Sequence, residues 1–78
     1  MEMHKRIKCY IETNGLKFNF VAEKSGIDVQ RFYRLINGNS PLTVGEYETM
    51  CKGLSVDPGY FFKDFFLENK KLPIRKIN

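Results

Sequence analysis

Two side chains four residues apart, Gln30 and Arg34, carry the most directed chemistry in this sequence. A glutamine amide sets a donor beside an acceptor, the pattern that pairs bidentately with adenine, and the arginine fork matches guanine in the same way. At 3.6 residues per turn, Val29, Gln30, Tyr33, Arg34 and Asn37 fall on one side of a helix whose other side is Phe32, Leu35 and Ile36. Val29 suits a thymine methyl, and Tyr33 reaches a base edge or a phosphate. Val29, Gln30, Tyr33 and Arg34 are therefore the candidate base-contacting residues. Asp28, just before them, is explained by capping the helix, since its carboxylate is repelled by phosphate.

Groups suited to phosphate surround that face. Lys17, Arg31 and Arg34, with Lys5 and Lys8 on an earlier helix, supply the positive charge on which affinity for a polyanion depends. Lys17 and Asn19 open a helix whose first backbone amides also face an anion. Asn37 and Asn39, in the loop after the Gln30–Arg34 helix, have amide hydrogens to donate. The candidate phosphate-contacting residues are Lys17, Asn19, Arg31, Asn37 and Asn39. A net charge of +4 is modest but of the right sign.

Catalysis is poorly provided for. A nucleophile needs an adjacent base, and the chain has one histidine, His4, which is too far from Cys9 along one helix to face it. Ser25, Ser40 and Ser55 have no second histidine to use, so no catalytic residue, and no enzyme, is expected. His4 alone does not make a metal site of the usual ligand type and spacing, and no metal or cofactor is expected. Cys9 and Cys51 lie far apart with no C-x-x-C pairing, each on an apolar helix face, and read as buried reduced thiols. At 78 residues and 42% hydrophobic the chain is one domain with a thin core. Almost every apolar group is needed to hold the fold, so no deep catalytic pocket is expected, and no second domain to sense a small-molecule ligand is expected either. No run approaches the length of a membrane span and the first residues lack signal-peptide character, so no membrane partner and a cytoplasmic location are expected.

Helical periodicity runs through almost the whole chain, and the punctuation is legible. A first helix runs from His4 to Asn14, with Ile7, Tyr10 and Ile11 inward, closed by Gly15. A second runs from Phe18 to Ser25, with Phe18, Val21, Ala22 and Ser25 on one side, and ends at Gly26. Asp28 caps the third, which runs to Asn37, with Ile27 placed to staple onto Phe32. The loop Asn37-Gly38-Asn39-Ser40-Pro41 follows. Thr43 and Glu46 form a capping box for a fourth helix, whose inward face reads Val44, Tyr47, Cys51 and Leu54. Asp57-Pro58 predicts a fifth start, carrying Tyr60, Phe61, Phe62, Phe65 and Phe66. Residues 1–67 then form the domain and residues 68–78 a basic tail.

Gly15-Leu16, Val21-Ala22-Glu23-Lys24-Ser25-Gly26-Ile27, Asn37-Gly38 and Gly53-Leu54-Ser55-Val56-Asp57 occur in the order and spacing of a known pattern. Over residues 5–66 the chain resembles the lambda-repressor-like, Cro/CI or XRE-type family of phage and bacterial regulators. The resemblance implies an all-α, compact five-helix domain with a helix-turn-helix formed by helices two and three. It also implies a sequence-specific transcriptional regulator that reads the major groove of double-stranded DNA with helix three, commonly as a homodimer on an inverted repeat. Phe61, Phe62, Phe65 and Leu67 are the candidate dimer-interface residues. The chain departs from the family pattern at Phe18, where Gln is frequent, at Lys17, where a Thr or Ser cap is usual, and at the apolar Phe20. Ile11 and Ile36 stand where many members carry a paired Arg and Glu, an exchange of both ion partners for apolar residues that predicts their packing together. The alternative reading is a protein-interaction module on the same fold, antirepressor-like or antitoxin-like, using Phe18, Phe20 and Tyr33 as an aromatic surface.

Overall fold

Ile7 and Ile11, one turn apart on helix α1 (Met3–Thr13), are fully buried and found the core. In the computed structural model, which describes residues 2–62, three further helices close over them. Helix α2 (Phe18–Ser25) buries Val21, Ala22 and Ser25; α3 (Val29–Ile36) buries Phe32, Leu35 and Ile36; α4 (Val44–Leu54) buries Tyr47, Met50, Cys51 and Leu54. A single 3₁₀ turn, Tyr60–Phe62, adds Phe61. The described residues are all helical, with no strand among them. Ile11 and Ile36 lie in the same buried cluster, where no charge has to be paired.

The starts of α3 and α4 follow from side chains that satisfy otherwise unpaired backbone amides. Asp28 Oδ2 accepts from the Gln30 and Arg31 amides at 3.1 and 3.3 Å. Thr43 Oγ1 accepts from the Glu46 amide at 3.2 Å while Glu46 Oε1 accepts from the Thr43 amide at 3.3 Å, a reciprocal capping box. Each such cap contributes on the order of 1 kcal/mol. Between α2 and α3 the chain reverses through Gly26, whose φ of +70° suits a residue with no Cβ. The Gly26 and Ile27 amides return to Glu23 and Ala22 carbonyls at 3.1 and 3.0 Å, which closes α2 and leaves only Ile27 and Asp28 before α3.

Helices α2 and α4 approach closely at Gly53. A Cβ built there would fall 2.5 Å from Ser25 Oγ and 3.1 Å from the Ser25 amide nitrogen, so the contact needs glycine. This packing fixes α2 from behind, and α2 in turn fixes the angle at which α3 is presented.

Four expectations are corrected. The expected fifth α-helix does not form over Asp57–Phe62: Asp57 Oδ2 takes the Gly59 amide at 2.8 Å, and the Tyr60 and Phe62 amides bond three residues back, at 2.9 and 3.1 Å. Gly59 disfavours a helix here, and three-residue bonding gives the tighter 3₁₀ turn. Phe61, expected at a dimer interface, is instead fully buried; its carbonyl accepts from the Arg6 guanidinium, and its ring meets Tyr10 edge-on with centroids 5.5 Å apart. Val44, expected inward, is 75% exposed because it is the first residue of α4, and Met50 takes the inward position with the i, i+3, i+4, i+7 set Tyr47, Met50, Cys51, Leu54. Cys9, expected buried, is half-buried, with its Sγ 3.8 Å from Thr13 Oγ1, whereas Cys51 is buried as expected. The expectations for Phe65, Leu67 and the 68–78 tail lie outside the described residues.

Candidate nucleic-acid interface

The outer face of α3 is held from beneath and open above. Phe32, Leu35 and Ile36 are buried under it, while Gln30, Tyr33 and Arg34 are exposed. Among the described residues the side chains of Gln30 and Arg34 have no hydrogen-bond or ion partner, so their donors and acceptors are available. Val29 is half-buried against the core and shows solvent only part of its side chain. Tyr33 is 38% exposed, but its hydroxyl donates to Asn19 Oδ1 at 3.0 Å and its ring stands edge-on to Phe18 at 5.7 Å.

The phosphate candidates divide. Lys17, Asn19, Asn37 and Asn39 are all exposed around the ends of α2 and α3. Lys17 precedes the first residue of α2, and no side chain caps that helix. Asn37 follows the last residue of α3 and its Oδ1 accepts from Lys8 Nζ at 2.9 Å, a link from α1. Asn39 returns its backbone amide to the Arg34 carbonyl at 2.8 Å, which pins the loop against the helix. Arg31 stands apart from this group: its Nε lies 2.5 Å from Glu46 Oε2 and its Nη2 3.2 Å from Oε1. The bidentate pair ties α3 to the capping box of α4 and turns the guanidinium toward a carboxylate. The hydrogen bond from Arg31, seconded by Thr43 and opposed by partial desolvation, holds the Glu46 carboxyl down to about 2, and the same pairing raises Arg31.

No protein-family model, curated protein or solved structure matches this chain. The geometry of α3 and its flanks is therefore what supports a functional reading.

Sequence reasoning missed the three cross-links at this face. Tyr33 to Asn19, Lys8 to Asn37 and Arg31 to Glu46 join residues 14, 29 and 15 positions apart. None follows a helical or strand spacing, and only the capping role of Glu46 hinted that its carboxylate was fixed. Phe18 is half-buried under Tyr33, whereas Phe20 is 48% exposed with Lys24 Nζ 5.8 Å from its ring centroid. An open groove of about 470 Å³, lined by Met3, Leu42, Val44, Tyr47 and Phe62 among others, includes no α3 residue. Among the described residues no three His, Cys, Asp or Glu side chains stand together as metal ligands would, and no helix is long and apolar enough to cross a membrane.

Proposed function

We propose that this chain is a sequence-specific DNA-binding regulator, similar to the lambda-repressor-like family, in which α2 and α3 act as a helix-turn-helix and α3 enters the major groove. One observation carries the reading. Gln30 and Arg34 lie exposed and unpartnered one turn apart on a helix whose opposite face is completely buried. Four residues of helix advance about 6 Å, roughly two base-pair steps, so the two side chains address neighbouring base pairs without competing. Val29 and Tyr33 flank them, and Lys17, Asn19, Asn37 and Asn39 face the backbone on either side. Arg31 is better read as a structural tie, because Glu46 already occupies its fork. As a homodimer, the protein would bind an inverted repeat, and Phe62, 66% exposed, remains a contact candidate where Phe61 does not.

The test is selection from a pool of random duplexes with the purified protein, followed by binding across a salt series. An enriched inverted repeat is expected, with affinity falling steeply as salt rises. Arg34→Ala should relax preference at one base pair, at a cost of about 1–3 kcal/mol. Weak, sequence-blind binding that Arg34→Ala leaves unchanged refutes the reading. That outcome would favour the second reading, an antirepressor-like or antitoxin-like module on which the exposed Phe20 meets a protein partner.

A further inference from the structure

Asn19 and Asn37 are both exposed, and each has one half of its amide committed inside the protein. Asn19 Oδ1 accepts from the Tyr33 hydroxyl at 3.0 Å, and Asn37 Oδ1 accepts from Lys8 Nζ at 2.9 Å. An ammonium has three donors and no acceptor, so the atom of Asn37 that faces Lys8 must be the oxygen. Among the described residues neither Nδ2 has an acceptor. A solvated asparagine turns broadly about its last torsion and shows its oxygen as readily as its nitrogen. An amide tethered by its oxygen shows solvent two donors, which suits an anion and not a base edge that offers both kinds of group.

The tethers themselves are anchored. Tyr33 is seated against the half-buried Phe18, with ring centroids 5.7 Å apart and ring planes 73° apart, which fixes where its hydroxyl meets Asn19. Lys8 reaches from α1 to the residue that ends α3. The two amides thus bracket the face that carries Gln30 and Arg34.

We propose that Asn19 and Asn37 are pre-oriented phosphate ligands for a DNA duplex seated on α3, with Tyr33 and Lys8 as positioning residues that hold each amide nitrogen outward. The proposal rests on the DNA-binding reading above and narrows the part Tyr33 plays in it: the hydroxyl acts through Asn19 and not on a base. Holding the donors in place before binding removes the cost of ordering them on contact.

Double-mutant cycles test this. Tyr33→Phe keeps the ring on Phe18 and removes only the hydroxyl, with thermal unfolding as the check on folding. Tyr33→Phe, Asn19→Ala and the double variant are measured on the selected duplex and on an unrelated one, across a salt series. Each single change is expected to weaken both duplexes alike, about three- to tenfold. The double variant should be no weaker than Asn19→Ala alone. The salt slope should not move, because no charge is lost. In the second cycle Lys8→Arg, which keeps a donor, should retain affinity. Lys8→Met should cost more in the wild-type background than beside Asn37→Ala. Additive losses in a cycle overturn that pair, and a changed base preference in Tyr33→Phe overturns its positioning role, while either result leaves DNA binding standing. Failure of the wild-type protein to bind any duplex removes the underlying reading and this one with it.

Discussion

Helix α4 carries two glycines in opposite surroundings, and exchanging each for alanine should move stability in opposite directions. A Cβ at Gly45 would meet nothing within 4 Å, whereas one at Gly53 would lie 2.5 Å from Ser25 Oγ, 3.1 Å from the Ser25 amide nitrogen and 3.2 Å from the Lys24 carbonyl carbon. Alanine is favoured over glycine in a helix interior by about 1 kcal/mol, and by less in the first turn where Gly45 sits. Gly45→Ala should therefore stabilise by about 0.5 kcal/mol. At Gly53 the same gain is opposed by overpacking, which costs roughly 1–3 kcal/mol. Two of the three close atoms there are backbone, so α2 must shift as a body and the upper end of that range applies. The net loss is about 2 kcal/mol, or some 8–16 °C in melting temperature for a domain of this size. Ser25 Oγ, buried with no hydrogen-bond partner, is the nearest obstruction. Ser25→Ala removes an unsatisfied hydroxyl, should itself stabilise by about 1 kcal/mol, and should recover at least about 1 kcal/mol of the Gly53→Ala loss as coupling. Urea and thermal unfolding of the wild type, the three single variants and the Ser25→Ala/Gly53→Ala double variant provide the assay. If Gly53→Ala stabilises as much as Gly45→Ala, α2 and α4 are not in close approach, and the account of what sets the angle of α3 is wrong.

Ser55, which ends α4, sits at φ +60° without being a glycine, and Ser55→Gly should raise stability by about 1 kcal/mol in urea unfolding; a loss would show that the serine side chain makes a contact there that offsets its backbone cost. Glu46, held at about 2 in the folded protein against an ordinary 4.5, contributes stability that is fully present above pH 4.5 and is lost as pH falls through that value toward 2. Unfolding of wild type and Glu46→Gln compared over this interval should show a shallower acid loss in the variant, and parallel curves would rule out the Arg31 pairing as the cause.

Where the local sequence dictates backbone bonding, the elements were legible. Asp28 and the Thr43/Glu46 box mark the starts of α3 and α4, because a side chain three residues or fewer away satisfies the first amides. Gly26 marked the end of α2 for the same local reason. Asp57-Pro58 carried an equally good start signal and failed, since Gly59 follows at once and Phe61 is drawn into the core beneath Arg6. An N-terminal cap can begin a helix, but at Asp57 it does not overrule the burial of the Phe61 ring four residues on. Phe61 and Phe62 are indistinguishable by type and adjacent in sequence, yet one is fully buried and the other 66% exposed. Their fates depend on the direction in which the turn aims each ring, which is a tertiary fact.

Helices α1 to α4, the side-chain caps of α3 and α4, and the outward stripe of Gln30, Tyr33 and Arg34 follow from local sequence, because helical periodicity and capping act over three or four residues. Which polar groups on and around that stripe are already engaged is set by contacts between helices. Glu46 engages the Arg31 guanidinium, Asn19 Oδ1 the Tyr33 hydroxyl, and Lys8 the Oδ1 of Asn37, which leaves the Asn37 Nδ2 open among the described residues. Each of these pairings joins different helices, or a helix to a cap, across 14 or more residues of chain. A hydrogen bond depends on where two groups lie in space within about 3 Å, and the packing of α1 and α2 against α3, with α4 packed on α2, sets those positions.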